Sequence, residues 1–297
     1  MYRFIIVFFA IVPLSAQTAY ASLDISYHFR SIGMSGSGLS DLSSSDASNL
    51  NPALLSRSNK ALIISAIQYP ASIRTHFFEF RTKWNSWYLS TTYKGVNYGD
   101  FLERDINGEQ LGNFSASDAW IAFAFARKLA PFSDIGFSTG LFQSRIGTLE
   151  SFLGLITFGS RVSIPKTSTS IGVTIRNIGI ALESFTSYKE DIPTSVSIGL
   201  THELRYLPLL LSVDAIWWRD KNMVKIGGEF SISENLFLYL GTNSLRNELQ
   251  IERLWMDISS GISMGIAYDI NQMSLGFSFA NNGVGGIMLG LGFARKF

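Results

Sequence analysis

The chain has 297 residues, with 24 Lys and Arg against 23 Asp and Glu, so it carries no net field to draw it to nucleic acid. It has no cysteine, which excludes a disulfide framework and a thiolate metal site. Only 16% of its residues are charged, against about 25% in soluble domains, while 46% are apolar.

The first residues read as an export signal. Met1-Tyr2-Arg3 is a short positive start, residues 4–14 are an apolar run too short to span a bilayer, and Ala19-Tyr20-Ala21 is an A-x-A cleavage site. Residues 1–21 are therefore predicted to be a leader, cleaved after Ala21. Beyond Leu14 no stretch approaches the roughly 18 uninterrupted apolar residues of a membrane helix. An exported chain this apolar must hide its apolar groups another way, and a closed β-barrel in an outer membrane does so by turning alternate residues to lipid.

Residues 22–59 precede a barrel predicted over 60–297, and from Ser45 they carry a polar run rich in Ser and Asn. Within it, Asn51-Pro52-Ala53 is a helix-start signal. The Asn51 side chain is suited to accept a free N–H of the first turn, and Pro52 has no N–H to waste at the next position. One or two helical turns are expected there.

Fourteen runs with strand character follow, at 60–69, 75–82, 85–94, 117–127, 134–143, 148–159, 169–178, 194–204, 208–216, 222–230, 235–243, 257–268, 271–280 and 286–297. In "MSLGFSF", Met273, Leu275, Phe277 and Phe279 share one face, and Ser274, Gly276 and Ser278 the other. Ile262, Met264, Ile266 and Tyr268 alternate in the same way with Ser263, Gly265 and Ala267. One face is bulky and apolar; the other is small, as in a barrel that must leave room inside.

The longest predicted connections, 95–116, 179–193 and 244–256, follow strands three, seven and eleven. All are odd, as expected if one end of the barrel carries short periplasmic turns and the other long external loops. Trp84, Trp87, Trp217, Trp218, Trp255 and Tyr268 lie near strand ends and are expected in interfacial girdles. The last strand carries Phe293 on its bulky face and ends in Phe297, which resembles the terminal signal read by the barrel-assembly machinery of outer membranes.

Catalytic and metal signals are missing. His28, His76 and His202 are far apart and have no ligand spacing, and no nucleophile elbow or phosphate loop occurs. The Gly-rich stretch 281–292 lacks dinucleotide spacing and reads as a turn. The mixed-charge runs 187–193 and 246–253 read as solvated loop, with docking of a partner as the sharper alternative. No cofactor, no metal and no enzymatic activity are expected.

A barrel preceded by an Asn-Pro-Ala element resembles the FadL superfamily, with fourteen strands and an N-terminal hatch. Within it the chain resembles the PorV/PorQ family of type IX secretion. The motifs are "NLNPALLS" (49–56), "GNFSASDAWIAFAFARKL" (112–129), "IRNIGIALESF" (175–185) and "DIPTSVSIGLTHEL" (191–204), in that order, within a match over about 31–214. "SIGMSGSGLSDL" departs from the family's Gly-Gly pair in an Ala-rich run.

The resemblance implies that residues 35–57 sit inside the barrel as a plug. It also implies an integral outer-membrane protein surrounded by lipid and acting as an accessory of type IX secretion and cell-surface attachment. Partner proteins would then dock on loops 95–116 and 179–193. The alternative is a FadL-like channel for long-chain fatty acids or other hydrophobic molecules; a barrel-embedded lipid enzyme is the third reading.

Overall fold

The computed structural model describes residues 19–43, 46–187, 189–244 and 260–297. Strand alternation produces fourteen strands: β1 (Ala61–Gln68), β2 (Arg74–Trp84), β3 (Trp87–Arg104), β4 (Gln110–Ala130), β5 (Ser133–Ile146), β6 (Leu149–Ile164), β7 (Thr169–Glu183), β8 (Ser195–Glu203), β9 (Leu209–Trp217), β10 (Asn222–Ser231), β11 (Leu236–Asn243), β12 (Ile262–Ile270), β13 (Met273–Asn281) and β14 (Ile287–Lys296). Each pairs with its sequence neighbours, and β1 pairs antiparallel with β14 from Ala61↔Lys296 to Gln68↔Leu289, so the sheet closes into a barrel with no free edge.

The two faces of the strands differ in chemistry. Ile64, Phe78, Ile121, Phe123, Leu275 and Phe277 point outward and are exposed. Ser65, Thr92, Ser138, Ser197, Ser263 and Ser278 point inward and are buried. A soluble protein does not tolerate an exposed apolar band around its whole girth. In a bilayer that band faces acyl chains, and the closed ladder pairs each strand with both of its neighbours. The fold is a transmembrane, all-β antiparallel barrel.

The termini of the barrel and the connections after even strands lie at one end. Turns there are short: Asn85 and Asn271, both at positive φ (52° and 55°), bend β2 into β3 and β12 into β13. They fall two residues later than the connections Lys83-Trp84 and Asp269-Ile270 that the predicted strand bounds leave. Connections after odd strands lie at the opposite end, where residues 184–194 join β7 to β8.

The structure corrects the predicted loop 95–116. β3 and β4 run through it as a ladder to Arg104↔Gln110, and only residues 105–109 turn. Register shifts between Asn97 and Gly99 and between Glu103 and Arg104 mark bulges in that ladder, with Gly99 at φ 88°. Alternation of apolar residues fades there because the hairpin, about 20 Å beyond the Asn97 rung at 3.4 Å per residue, has left the apolar band. The predicted loop 179–193 begins later than expected, because β7 continues to Glu183. Most of 244–256 lies outside the described residues. β12 starts at Ile262 and not at 257.

One aromatic from the predicted girdle also differs. Trp84, Trp217 and Tyr268 are exposed at strand ends, but Trp218 is buried and points inward. Trp255 lies outside the described residues.

Phe293 pairs with Ile64 of β1 and Leu275 of β13. The Phe297 backbone N–H donates to the Lys60 carbonyl at 2.9 Å, and its ring lies 5.5 Å from Lys60 Nζ. Deleting Phe297 removes a rung of the β1–β14 seam, whereas Lys296→Ala keeps it. Deletion is expected to reduce the heat-modifiable, membrane-inserted fraction several-fold, and Lys296→Ala to leave it near wild type. Equal insertion of the two variants would remove any special role for the terminus.

Candidate functional site

The lumen is occupied by the chain's own N-terminal segment. From Tyr20 to Arg57 it runs from the end with the odd connections to the end with the barrel termini. It folds as short pieces: a 3-10 turn (Ala21–Asp24), α1 (Phe29–Gly33), α2 (Ala47–Leu50) and a second 3-10 turn (Pro52–Arg57). Helices this short are not stable alone and depend on the wall that surrounds them.

Asn51 joins two of these pieces. Its backbone N–H donates to the Ala47 carbonyl, closing α2, and its Oδ1 accepts from the Ala53 N–H at 3.0 Å, opening the Pro52–Arg57 turn. Its Nδ2 donates to the carbonyls of Leu39 (2.9 Å) and Ser160 (3.1 Å), the latter on β6. Pro52 and Ala53 are buried beside Gly136 of β5, where a Cβ would lie 2.5 Å from the Pro52 carbonyl carbon. The small inward face therefore lets backbone approach backbone. Phe29 uses it in the same way, lying flat over the paired Gly276 and Gly292 of β13 and β14.

Charged pairs tie the segment to several sides of the ring. Arg30 is buried between Asp41 and Glu229 of β10, donating to Glu229 through Nε (2.9 Å) and an Nη (2.7 Å). Asp24 accepts from Arg176 of β7 (3.1 Å) and from the Trp218 indole N–H (2.6 Å). The Gly38 and Leu39 N–H groups donate to Asp214 of β9 at 2.8 and 3.0 Å. Arg57 donates to Asp134 of β5 at 3.0 Å, and Lys94 of β3 to Asn49 at 2.8 Å. Between Lys94, Trp120, Arg176 and the segment, a cavity of about 20 Å³ remains, room for one or two waters. At the end with the barrel termini, polar recesses of about 260 and 410 Å³ open beside Arg57 and Arg161.

Toward the opposite end of the lumen lies an apolar cluster, with Lys94 Nζ 3.5 Å over the Trp120 ring. Tyr20, Leu23, Trp120, Phe142, Leu153 and Leu155 form one buried cluster, against which Phe185 and Ile192 of the 184–194 connection pack. On the outer face at this point is a groove of about 800 Å³ between Ile121, Leu141, Ile156 and Ile180, and its lining includes Phe142 and Leu155 of the inner cluster. Glycines 140, 154 and 179 leave the wall thin there, and the β6–β7 register shifts around Asn177, which has φ 58°.

His28 is fully buried, and burial, then Arg30 and Arg81, push its imidazole down to about 3. It accepts from the Arg30 N–H at Nδ1 (3.2 Å) and is neutral in place. A hydrated, undocked His28 takes up a proton below about 6.5. Docking is therefore favoured fully above pH 6.5 and loses about 1.4 kcal/mol per pH unit as pH falls below it toward 3. Amide protection in residues 22–43, taken relative to the intrinsic exchange rate at each pH, is expected to fall between pH 7 and pH 5, and His28→Phe to flatten that profile. His76 is exposed on the outer face, and His202 shares a hydrogen bond with Thr169 (2.9 Å).

No protein-family model matches the chain, and no curated protein is similar to it by sequence. Solved structures are similar in fold. The Pseudomonas putida toluene transporter TodX matches with a TM-score of 0.66 at 13% identity, over 92% of this chain and 98% of that one. The Ralstonia pickettii toluene transporter TbuX gives 0.62 at 12%, over 92% and 98%. A Pseudomonas aeruginosa FadL homologue gives 0.58 at 9%, over 96% and 100%. At this level of likeness, over nearly the whole length of both chains, the barrel shares the fold of these solved structures.

Proposed function

We propose that the protein is an outer-membrane channel for small hydrophobic molecules, with residues 22–57 acting as the plug that closes its lumen to water. The observation that carries this reading is the apolar cluster inside the outward end of the barrel, around Trp120, Phe142, Leu153 and Leu155. Below it the lumen is filled by the segment, so a hydrophilic solute meets no water-filled bore. A hydrophobic solute gains about 25 cal/mol per Å² of apolar surface buried on such a cluster. Phe142 and Leu155 border both the cluster and the outer groove, so an apolar path to the lipid face is short. The toluene transporters with the same fold support the solute class.

Type IX secretion has less to stand on here. Its proposed docking loop at 95–116 is largely β-ladder, and no similarity to secretion proteins supports it. Deleting the gene is expected to slow uptake of a hydrophobic solute and to leave secretion of surface-attached proteins unchanged. Normal uptake with lost secretion would return the protein to the PorV/PorQ reading.

A further inference from the structure

Tyr20 belongs to the predicted leader, yet it is one of the most deeply buried side chains, with no exposure at all. Its ring meets Phe142 edge-on at 5.8 Å and stacks on Phe185 at 6.2 Å. Its hydroxyl lies 2.8 Å from Ser151 Oγ. The Ser151 hydroxyl donates to the Glu183 carbonyl at 2.8 Å, so it has only a lone pair to offer, and Tyr20 is the donor. The site thus consists of an apolar box with one acceptor at its end.

The sequence places the cleavage point just beyond this residue, after Ala21. The new first residue, Ser22, keeps its own anchors: its hydroxyl donates to Asp118, and its carbonyl accepts from the Tyr27 hydroxyl at 2.8 Å. Trp120, Phe142, Leu153 and Leu155 belong to strands in the closed ladder, so the walls of the box stay when Tyr20 leaves. A rigid apolar cavity of aromatic size remains dry and takes up an aromatic guest.

We propose that cleavage after Ala21 vacates, at the outward end of the barrel, a binding pocket for a phenol-type molecule, whose ring takes the place of the Tyr20 ring and whose hydroxyl donates to Ser151. This rests on the channel reading for its context and deepens it by naming the solute class. p-Cresol is the side chain of Tyr20 without the backbone, and is the natural probe.

The test uses the protein purified from outer membranes. Its intact mass is expected to begin at Ser22. It should bind p-cresol about 5- to 10-fold more tightly than toluene, the worth of one net hydrogen bond. Ser151→Ala should erase that preference and leave toluene binding unchanged, which a merely structural role for Ser151 would not do. A form whose leader is re-sited to retain Tyr20 should bind neither. A mature chain that keeps Tyr20, equal p-cresol binding in the two forms, or a preference that survives Ser151→Ala would overturn the proposal. Uptake of other hydrophobic solutes without p-cresol binding would overturn the pocket alone. p-Cresol binding without any uptake would overturn the channel alone.

Discussion

Arg30→Ala is expected to release the N-terminal segment from the lumen while leaving the barrel intact. Arg30 is 2% exposed and lies between Asp41, 3% exposed, and Glu229, also buried. It also donates to Ser43 at 3.0 Å and lies 5.5 Å from the Tyr239 ring. Removing the guanidinium leaves the buried Asp41 and Glu229 carboxylates without their ion-pair partner. Breaking a buried ion pair from one side costs about 3–5 kcal/mol, most of it the penalty on the orphaned charge. Because that cost falls on the docked state, protease cleavage and amide exchange in residues 22–57 should rise by about two to four orders of magnitude. Heat-modifiable migration of the barrel should not change. Arg30→Met combined with Asp41→Asn and Glu229→Gln should recover most of the protection, because no charge is then left unpaired. Wild-type protection in Arg30→Ala would show that this triad does not hold the segment.

Gly159→Val is expected to have an effect of similar size from the opposite direction, by overfilling. Gly159 faces inward on β6, directly under Asn51; a Cβ there would overlap Asn51 Oδ1 and stand 3.0 Å from Pro52 Cδ. Asn51 cannot retreat without losing the bonds to Ala53, Leu39 and Ser160. Overpacking costs about 1–3 kcal/mol, and each buried hydrogen bond lost adds about 1 kcal/mol. Asn51→Ala loses the same three bonds without intruding, and should cost about 0.5–2 kcal/mol through the lost cap and about 1 kcal/mol for each of the bonds to Leu39 and Ser160, with no overpacking added. The ordering Gly159→Val above Asn51→Ala is checked by exchange rates at residues 46–57. The reverse ordering would mean that the segment does not press against β6 as the geometry shows.

The barrel was legible in the sequence because lipid imposes a strict period of two. "MSLGFSF" shows Leu275 and Phe277 to the bilayer and keeps Gly276 and Ser278 inside, and nothing but a two-faced strand explains that order. The same rule failed above the apolar band. There Asn97, Gly99 and Asp100 pair in a ladder that water would equally tolerate as loop, so no pattern marked them as strand. Trp218 was misplaced because it was read together with Trp217, although adjacent residues of an extended chain face opposite sides.

The lumen contacts were less visible still. Arg30 and Glu229 are separated by 199 residues, and Asp24 and Trp218 by 194. Such pairs leave no local spacing to read. What the sequence did carry was the glycine, serine and alanine face, which signalled that something must fit inside without saying what. The burial of Tyr20 had no signal in the sequence, since its neighbours there mark only a cleavage site.

The most direct measurement of the central claim is solute flux into liposomes holding the purified mature protein. A plugged channel gives faster entry of p-cresol or a comparable small hydrophobic solute than into empty liposomes, with no swelling in isosmotic arabinose or stachyose and no steady ionic conductance. Entry of the sugars and steady current, with no acceleration of the hydrophobic solute, would show an open aqueous pore and contradict it.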